Sequence, residues 1–426
     1  MVLPNPKNLK IKHTRAETKE RHKHMHCRVF EIKVDFSKLS REKKEHINAL
    51  FREAKWLRNA VIGSGDPFSF DDSTKSVMVK VGDKFEQRDL VVISSQMKQG
   101  LFDSVKSEIG SLSTKKSKGE KVGKLKFKSY CNSIPLKQFD NTYRIDFGNN
   151  AIFIQNLRKP LKVRGLKQIP PDAEIANARF IRKASGLYFH ITTYTEPVAT
   201  DETGNELGID FGIKYNMTFS NGEIRNISVP ESKGTKLASK RLNKSQKRSE
   251  KHEARVKAKA KGKGNVKAKT KGGSKNKSKR KSRNHDKRKH KLRVAYEKTV
   301  NRKHDLANKQ VYEILINNDF IGMQDEMIAN WHRGLFGRQV QHSAMGYIKR
   351  KLSKSSKTQM VPRSCPSTQR CPECGRDTPH PLSKRDYDCS HCGYHHDSRD
   401  VKAACMNLME GKRLALDKSL RMQTAN

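Results

Sequence analysis

The stretch ELGIDFGIKYNMTFSNGEIRNISV, residues 206–229, decides the fold of the C-terminal half. Leu207, Ile209, Phe211 and Ile213 alternate with small or polar residues, the period of a strand with one buried face. Met217 and Phe219 follow, and Asn221-Gly222 is a strong hairpin signal because both residues tolerate positive φ. Ile224, Ile227 and Val229 supply a third strand. An antiparallel meander thus opens an α/β domain. Further along, residues 296–317 and 339–353 have helical periodicity, and DFIGMQ at 319–324 reads as a short buried strand.

Toward the N-terminus, residues 1–26 form a basic, His-rich arm expected to be disordered. Residues 27–36 alternate as a strand. Ser40 is placed to cap a helix carrying Ile47, Leu50, Phe51, Ala54, Leu57 and Val61, closed by Gly63. Residues 64–92 fit no single pattern. A second helix is expected over 94–109, then a basic loop over 111–123. From 124 to 197 the period is again two, at Leu125/Phe127, Tyr143/Ile145/Phe147, Ile152/Ile154, 180–182 and 187–194, with turns at 148–150 and 184–186. These short strands read as a small barrel or sandwich that the strand at 27–36 completes, with the two helices inserted.

Composition narrows the partners. The 426 residues hold 90 Lys and Arg against 44 Asp and Glu, a net charge of +46. Such a charge repels itself unless a polyanion neutralises it, which points to nucleic acid. No apolar run approaches the roughly 18 residues of a transmembrane helix, and the N-terminal residues lack the apolar stretch of a signal peptide. Hydrophobic residues make up 34%, so a core spans part of the length only. Residues 236–293 carry 26 Lys and Arg against three acids. Their middle, 257–284, reads as a solvated linker or a nuclear-localisation mimic; the flanks read as helices whose charges line a nucleic-acid groove.

Cys371-x-x-Cys374 is followed by Cys389-x-x-Cys392 after 14 intervening residues. Two pairs on tight turns place four thiolates tetrahedrally around Zn²⁺, and Gly375 and Gly393 follow each pair where the turn needs positive φ. His380, His391 and His395 are the alternative ligands. With four ligands used, the ion is structural rather than catalytic. Cys27, Cys131, Cys365 and Cys405 read as small apolar residues; eight cysteines, four of them with metal spacing, suit a reducing cytosol.

Three carboxylates stand apart in sequence. Asp210 shares a strand face with Gly208 and Gly212, small residues that leave room for a metal ion and a phosphate; otherwise it is a strand-end acid held by backbone N–H groups. Glu326 follows the strand at 319–324, with Asp325 as its competitor. Asp400 opens the last helix, RDVKAACMNLMEGKRLAL, where with Asp397 as N-cap it would also favour the helix dipole. Convergence of the three would meet the oxygen-ligand needs of two Mg²⁺ ions about 4 Å apart and support in-line hydrolysis of a phosphodiester.

Together these residues resemble the RuvC-type nuclease core of the TnpB proteins and the miniature type V CRISPR effectors. GIDFG (208–212) is similar to the first RuvC motif, and QDEMIANWHRGLFGRQVQHS (324–343) to the second. CPSTQRCPECG…CSHCG (365–393) resembles the inserted zinc ribbon, and RDVKAACMNL (399–408) the third motif, usually DRD-x-N-A-A-x-N-I. Ser398 stands where that motif has its first Asp, and Lys402 where it has Asn. KLKFKSY (124–130) resembles the phrase that returns the chain to the family's wedge barrel.

The resemblance implies an α+β multidomain protein. Its parts would be a basic arm (1–26), a wedge β-barrel (27–39 and 118–200) with a helical recognition insertion (40–117), an RNase H-like, RuvC-type nuclease (201–360 and 394–426) and a zinc ribbon (361–393). It implies an Mg²⁺-dependent, RNA-guided DNA endonuclease with Asp210, Glu326 and Asp400 as catalytic metal ligands, Asp397 being the competing register for the third. Zn²⁺ would sit on the four cysteines. Partners would be guide RNA and target DNA, double-stranded beside a short motif or single-stranded, bound by a monomer or homodimer in a prokaryotic cytoplasm at the nucleoid. A guided repressor that does not cut, and a zinc-ribbon DNA binder without guide RNA, are the other readings. Trp56 and Trp331 are candidates for stacking on bases or for packing.

Overall fold

The computed structural model describes residues 6–66, 69–197, 202–262, 282–381 and 383–423. The chain divides into two compact units, one ending at Val198 and the other beginning at Ala199.

The first unit opens with a helix, α1 (Pro6–His24), where a disordered arm was expected. Lys, Arg, Glu and Ala are good helix formers, and the C-terminal end is anchored. Arg21 donates to Glu174 at 2.6 Å, and the His22 ring bonds the same carboxylate at 3.0 Å while stacking on Tyr194 at 3.6 Å. Strand β1 (His26–Val34) leads into α2 (Arg41–Gly63), whose N-cap Ser40 accepts from the Lys43 N–H. The unassigned segment that follows holds a hairpin, β2 (Ser76–Val81) and β3 (Lys84–Asp89). Helix α3 (Ser95–Ser117) extends through most of the expected basic loop, carried by Ser, Lys and Thr beyond its buried face.

Six more strands follow: β4 (Ser133–Leu136), β5 (Tyr143–Asp146), β6 (Ala151–Ile154), β7 (Leu161–Arg164), β8 (Glu174–Lys183) and β9 (Gly186–Thr195). Their sheet runs β4-β8-β9-β1-β7-β6-β5, all neighbours antiparallel. Laid flat, its edges would lie about 29 Å apart at ~4.8 Å per strand. The chain from Leu136 to Tyr143 reaches at most about 25 Å, so the sheet curls into a nearly closed barrel, with a bridge from Phe139 to Tyr143 at the seam. Ile32, Ile134, Leu136, Phe180, Phe189 and Ile191 fill it against Ile47, Leu57 and Met97 of the inserted helices. The expected strand at Leu125/Phe127 is irregular instead. Its backbone is held by a helix side chain: Asn59 donates to the Lys128 carbonyl at 2.8 Å and accepts from its N–H at 2.9 Å.

The second unit begins with the expected meander, β10 (Glu206–Asp210), β11 (Met217–Phe219) and β12 (Ile224–Arg225), turned at Gly222 with φ 86°. A long helical pair follows, α4 (Lys233–Gly262) and α5 (Arg283–Asn317). Residues 263–281, most of the low-complexity tract at 257–284, lie outside the described residues. Then come β13 (Phe320–Gln324), α6 (Ile328–Trp331), α7 (Gly337–His342), α8 (Met345–Leu352) and β14 (Thr358–Val361). The single helix expected over 339–353 is thus two, broken at Ser343, whose backbone is extended at ψ 167°. A two-stranded ribbon, β15 (Tyr387–Asp388) and β16 (His395–His396), precedes α9 (Arg399–Gln423).

The second sheet runs β12-β11-β10-β13-β14, with β10 antiparallel to β11 but parallel to β13, and β13 parallel to β14. Helix α9 lies directly on its backbone. A Cβ at Gly208 would collide with the Ala404 carbonyl, and one at Gly322 with the Asn407 carbonyl. Gly208 and Gly322 are paired across β10 and β13. The space left by Gly208 is therefore for the helix and not for a metal ion and phosphate, correcting the sequence expectation. Among the described residues, no helix is long and apolar enough to cross a membrane.

Candidate active site and metal centre

In the ribbon the chain turns back twice on glycine. Gly375 and Gly393, with φ of 69° and 75°, donate to the carbonyls of Cys371 and Cys389 at 3.1 Å each. The four sulfur atoms of Cys371, Cys374, Cys389 and Cys392 lie within 4.8 Å of one another, and the pairs 371–392 and 374–389 are 3.6 Å apart. Four ligands at ~2.3 Å from a tetrahedral Zn²⁺ have edges of about 3.8 Å, so the donor set is compatible with structural zinc. Burial disfavours a charge on Cys389, yet the N–H groups of His391 and Cys392 draw its thiol down to about 5. None of the candidate histidines joins the set. His380 bonds the Asp388 backbone, and His395 bridges Asp388 and Asp397 at 2.6 and 3.0 Å.

The three acids come from separate elements. Asp210 ends β10, Glu326 lies two residues beyond β13, and Asp400 is in the first turn of α9. Parallel pairing of Ile209 with Met323 sets the ends of β10 and β13 side by side, and α9 crosses both at Gly208 and Gly322. Asp210 keeps some solvent contact, but the atoms around it strip most of its hydration. Burial, then the charges of Asp400 and Glu326, push its carboxyl up to about 8; the cations of Arg399 and Lys402 pull the other way. The three acids are thus electrostatic neighbours. They are not clasped as tightly as the thiols, the one group so close among the described residues. Asp400 lies 3.5 Å from Arg385 and 3.7 Å from Arg399.

The two competing acids are accounted for elsewhere. Asp325 pairs with Lys349 at 2.5 Å, which holds its carboxyl below the usual range, and with Arg363 at 3.6 Å. Asp397 has a side chain 99% exposed. Nor is it the N-cap of α9: Ser398 is, its hydroxyl accepting from the Val401 N–H at 3.3 Å. Trp56 and Trp331 both pack partly buried against the cores of their units.

The sequence assigned no role to three further residues. Asn407, fully buried, donates to the Ile209 carbonyl at 3.0 Å and ties α9 to the strand of Asp210. Gln324 ends β13 and donates to the Cys365 carbonyl at 2.5 Å. Lys402 is fully buried beneath the ribbon, and burial lowers its ammonium to about 8. The signal was a lysine where the third motif has Asn, within the otherwise small and apolar run VKAACM. A basic cleft lies where α4 and α5 meet the turn at 228–235, lined by Arg241, Arg288, Lys291, Lys298 and Arg302.

Residues 345–407 match the family model for the TNB domain of Cas12f1-like proteins. The match takes in α8, β14, the whole ribbon and the start of α9 with Asp400. Among solved structures the chain is similar to one in "Cryo-EM structure of the Cas12f1-sgRNA-target DNA complex", at 12% identity over 73% of this chain and 70% of that one. The TM-score is 0.33, a likeness that carries no weight alone. No curated protein matches the chain. The match at 345–407 supports the resemblance of the chain's motifs to those of the TnpB proteins and the miniature type V effectors.

Proposed function

We propose that this protein is an RNA-guided effector that targets and cuts DNA. The observation that carries the reading is the meeting of Asp210, Glu326 and Asp400 at the ends of β10, β13 and α9, beside a ribbon that matches the TNB domain. The meander followed by two parallel strands supports an RNase H-like, RuvC-type nuclease over 201–360 and 394–426, with the ribbon inserted at 361–393. The barrel supports a wedge domain (27–39 and 118–200) and its inserted helices a recognition insertion (40–117).

The donor set suits a divalent cation. Without one, Asp210 holds a proton near neutral pH because it is stripped of hydration and its neighbours are also acids. Bound Mg²⁺ would supply the Lewis acidity that activates water and steadies the leaving oxygen of a phosphodiester. Asp210, Glu326 and Asp400 would hold it, Asp210 releasing its proton as it does so. Arg385 and Arg399 orient Asp400 from outside. The basic face of α4 and α5 suits phosphate contacts, leaving sequence choice to guide pairing.

A guided cleavage assay tests the reading. Asp210→Ala should abolish cutting, by at least about 10³-fold, with guide-RNA and target binding within about twofold of wild type. Glu326→Ala and Asp400→Ala should match it, and EDTA should stop the wild type. Robust cutting by Asp210→Ala, or by wild type in EDTA, would overturn the mechanism. A wild type that binds guide and target yet never cuts would make the protein a guided repressor.

A further inference from the structure

The first turn of α9 contains a lysine where the third motif has Asn, and its side chain does not reach solvent. Lys402 is fully buried, and its ammonium donates to the Ser367 carbonyl at 2.9 Å and the Arg370 carbonyl at 2.8 Å. It also sits 3.9 Å from the centroid of the Tyr387 ring, whose hydroxyl donates to the Gln369 carbonyl at 2.9 Å. Two carbonyls and an aromatic face replace the water an ammonium loses on burial.

These partners are not local. Arg370 precedes the zinc ligand Cys371, and Tyr387 lies two residues before Cys389. Ser367 donates its hydroxyl to Gln324 at 3.0 Å, and Gln324 lies two residues before Glu326. Lys402 lies two residues after Asp400. One buried knot therefore joins the ribbon, the end of β13 and the start of α9, the last two being the elements that carry Glu326 and Asp400.

We propose that Lys402 is a positioning residue that fixes Asp400 and Glu326 relative to each other by locking α9 and β13 onto the zinc ribbon. The ribbon then acts as a strut of the acid site, beyond any contact it makes with nucleic acid. An apolar residue of similar volume would fill the space without desolvation cost. It would leave the carbonyls of Ser367 and Arg370 without this donor, and the two acid-bearing elements free to drift. In activity terms the proposal rests on the nuclease reading; in cation binding it can be measured without it.

The test uses the full chain and Lys402→Met, which keeps the apolar stem and removes the ammonium. Zinc per chain, Mn²⁺ binding followed by electron paramagnetic resonance on RNA-free protein, and the Mg²⁺ midpoint of guided cleavage are measured. Zinc should stay near one per chain, while the Mn²⁺ dissociation constant and the Mg²⁺ midpoint rise about 10-fold or more, as for the loss of groups that orient metal ligands. Ser367→Ala should shift both in the same direction by less. The double variant should be no worse than Lys402→Met alone, since both act through one knot. An unchanged Mn²⁺ constant and Mg²⁺ midpoint in Lys402→Met would overturn the proposal, as would loss of zinc with those values unmoved. Should Lys402→Met fail to fold, Ser367→Ala decides on the same readouts. A wild-type chain that binds Mn²⁺ through Asp210 but cuts nothing refutes the nuclease reading alone, and the Mn²⁺ comparison still decides for Lys402.

Discussion

Asp210 shows how little of a residue's chemistry lies in its own side chain. Its carboxyl ionises near 8 instead of 3.8 because burial and two neighbouring acids oppose the charge. The sign of the consequence follows by linkage. The folded chain keeps a proton that the unfolded chain has lost, so stability present below about pH 4 is lost as pH rises through about 8. In EDTA, the melting temperature should therefore fall with rising pH more steeply for wild type than for Asp210→Asn. Adding Mg²⁺ at pH 8 should restore it, and equal slopes would count against the buried site. Two acids three residues apart in sequence, Asp397 and Asp400, separate just as clearly. Asp397→Ala should keep guided cutting and change stability by less than about 0.5 kcal/mol. Ser398→Ala should cost about 1 kcal/mol in chemical denaturation, because Ser398 is the cap.

Packing between elements explains why α9 can bring its acid to the two strands. The helix backbone rests on Gly208 and Gly322, closer than any side chain permits. Gly208→Ala should therefore destabilise the second unit by at least about 1–3 kcal/mol, the usual cost of overpacking. Cutting should fall with it even though no acid is altered, checked by denaturation and cleavage on one preparation. The ribbon has little apolar core beyond Cys371, Cys389 and Tyr387, so a bound zinc ion would be its main support. Cys389→Ser should lower zinc below one per chain and open the ribbon to protease.

At the scale of the molecule, charge sets the partner. Within the net +46, Arg241, Arg288, Lys291, Lys298 and Arg302 line one cleft between α4 and α5. Each phosphate contact contributes a salt-dependence slope of about 0.7–0.9. Changing Arg288, Lys291, Lys298 and Arg302 to Gln should flatten the salt dependence of guide-RNA binding by up to about three units. An unchanged slope would assign the contacts to another surface. The mass of the complex on guide RNA would distinguish a monomer from a homodimer.

Periodicity, caps and cysteine spacing are local properties, and the chain alone determined what depends on them. The meander at 206–229, the cap Ser40, the β13 strand and the cluster of four cysteines were all legible, because each is fixed by residues a few positions apart. Reading failed where distant contacts overrode local pattern. Glu174 and Tyr194 hold α1, Asn59 satisfies the backbone at Lys128, and Ser398 rather than Asp397 caps α9. The acids could be named in sequence, but their meeting could not be derived from it. That meeting depends on the parallel register of β10 and β13 and on the glycine contacts of α9. Lys402 was the least legible of all. A buried ammonium is tolerable only where carbonyls and a ring from other segments surround it, and only the tertiary structure supplies them.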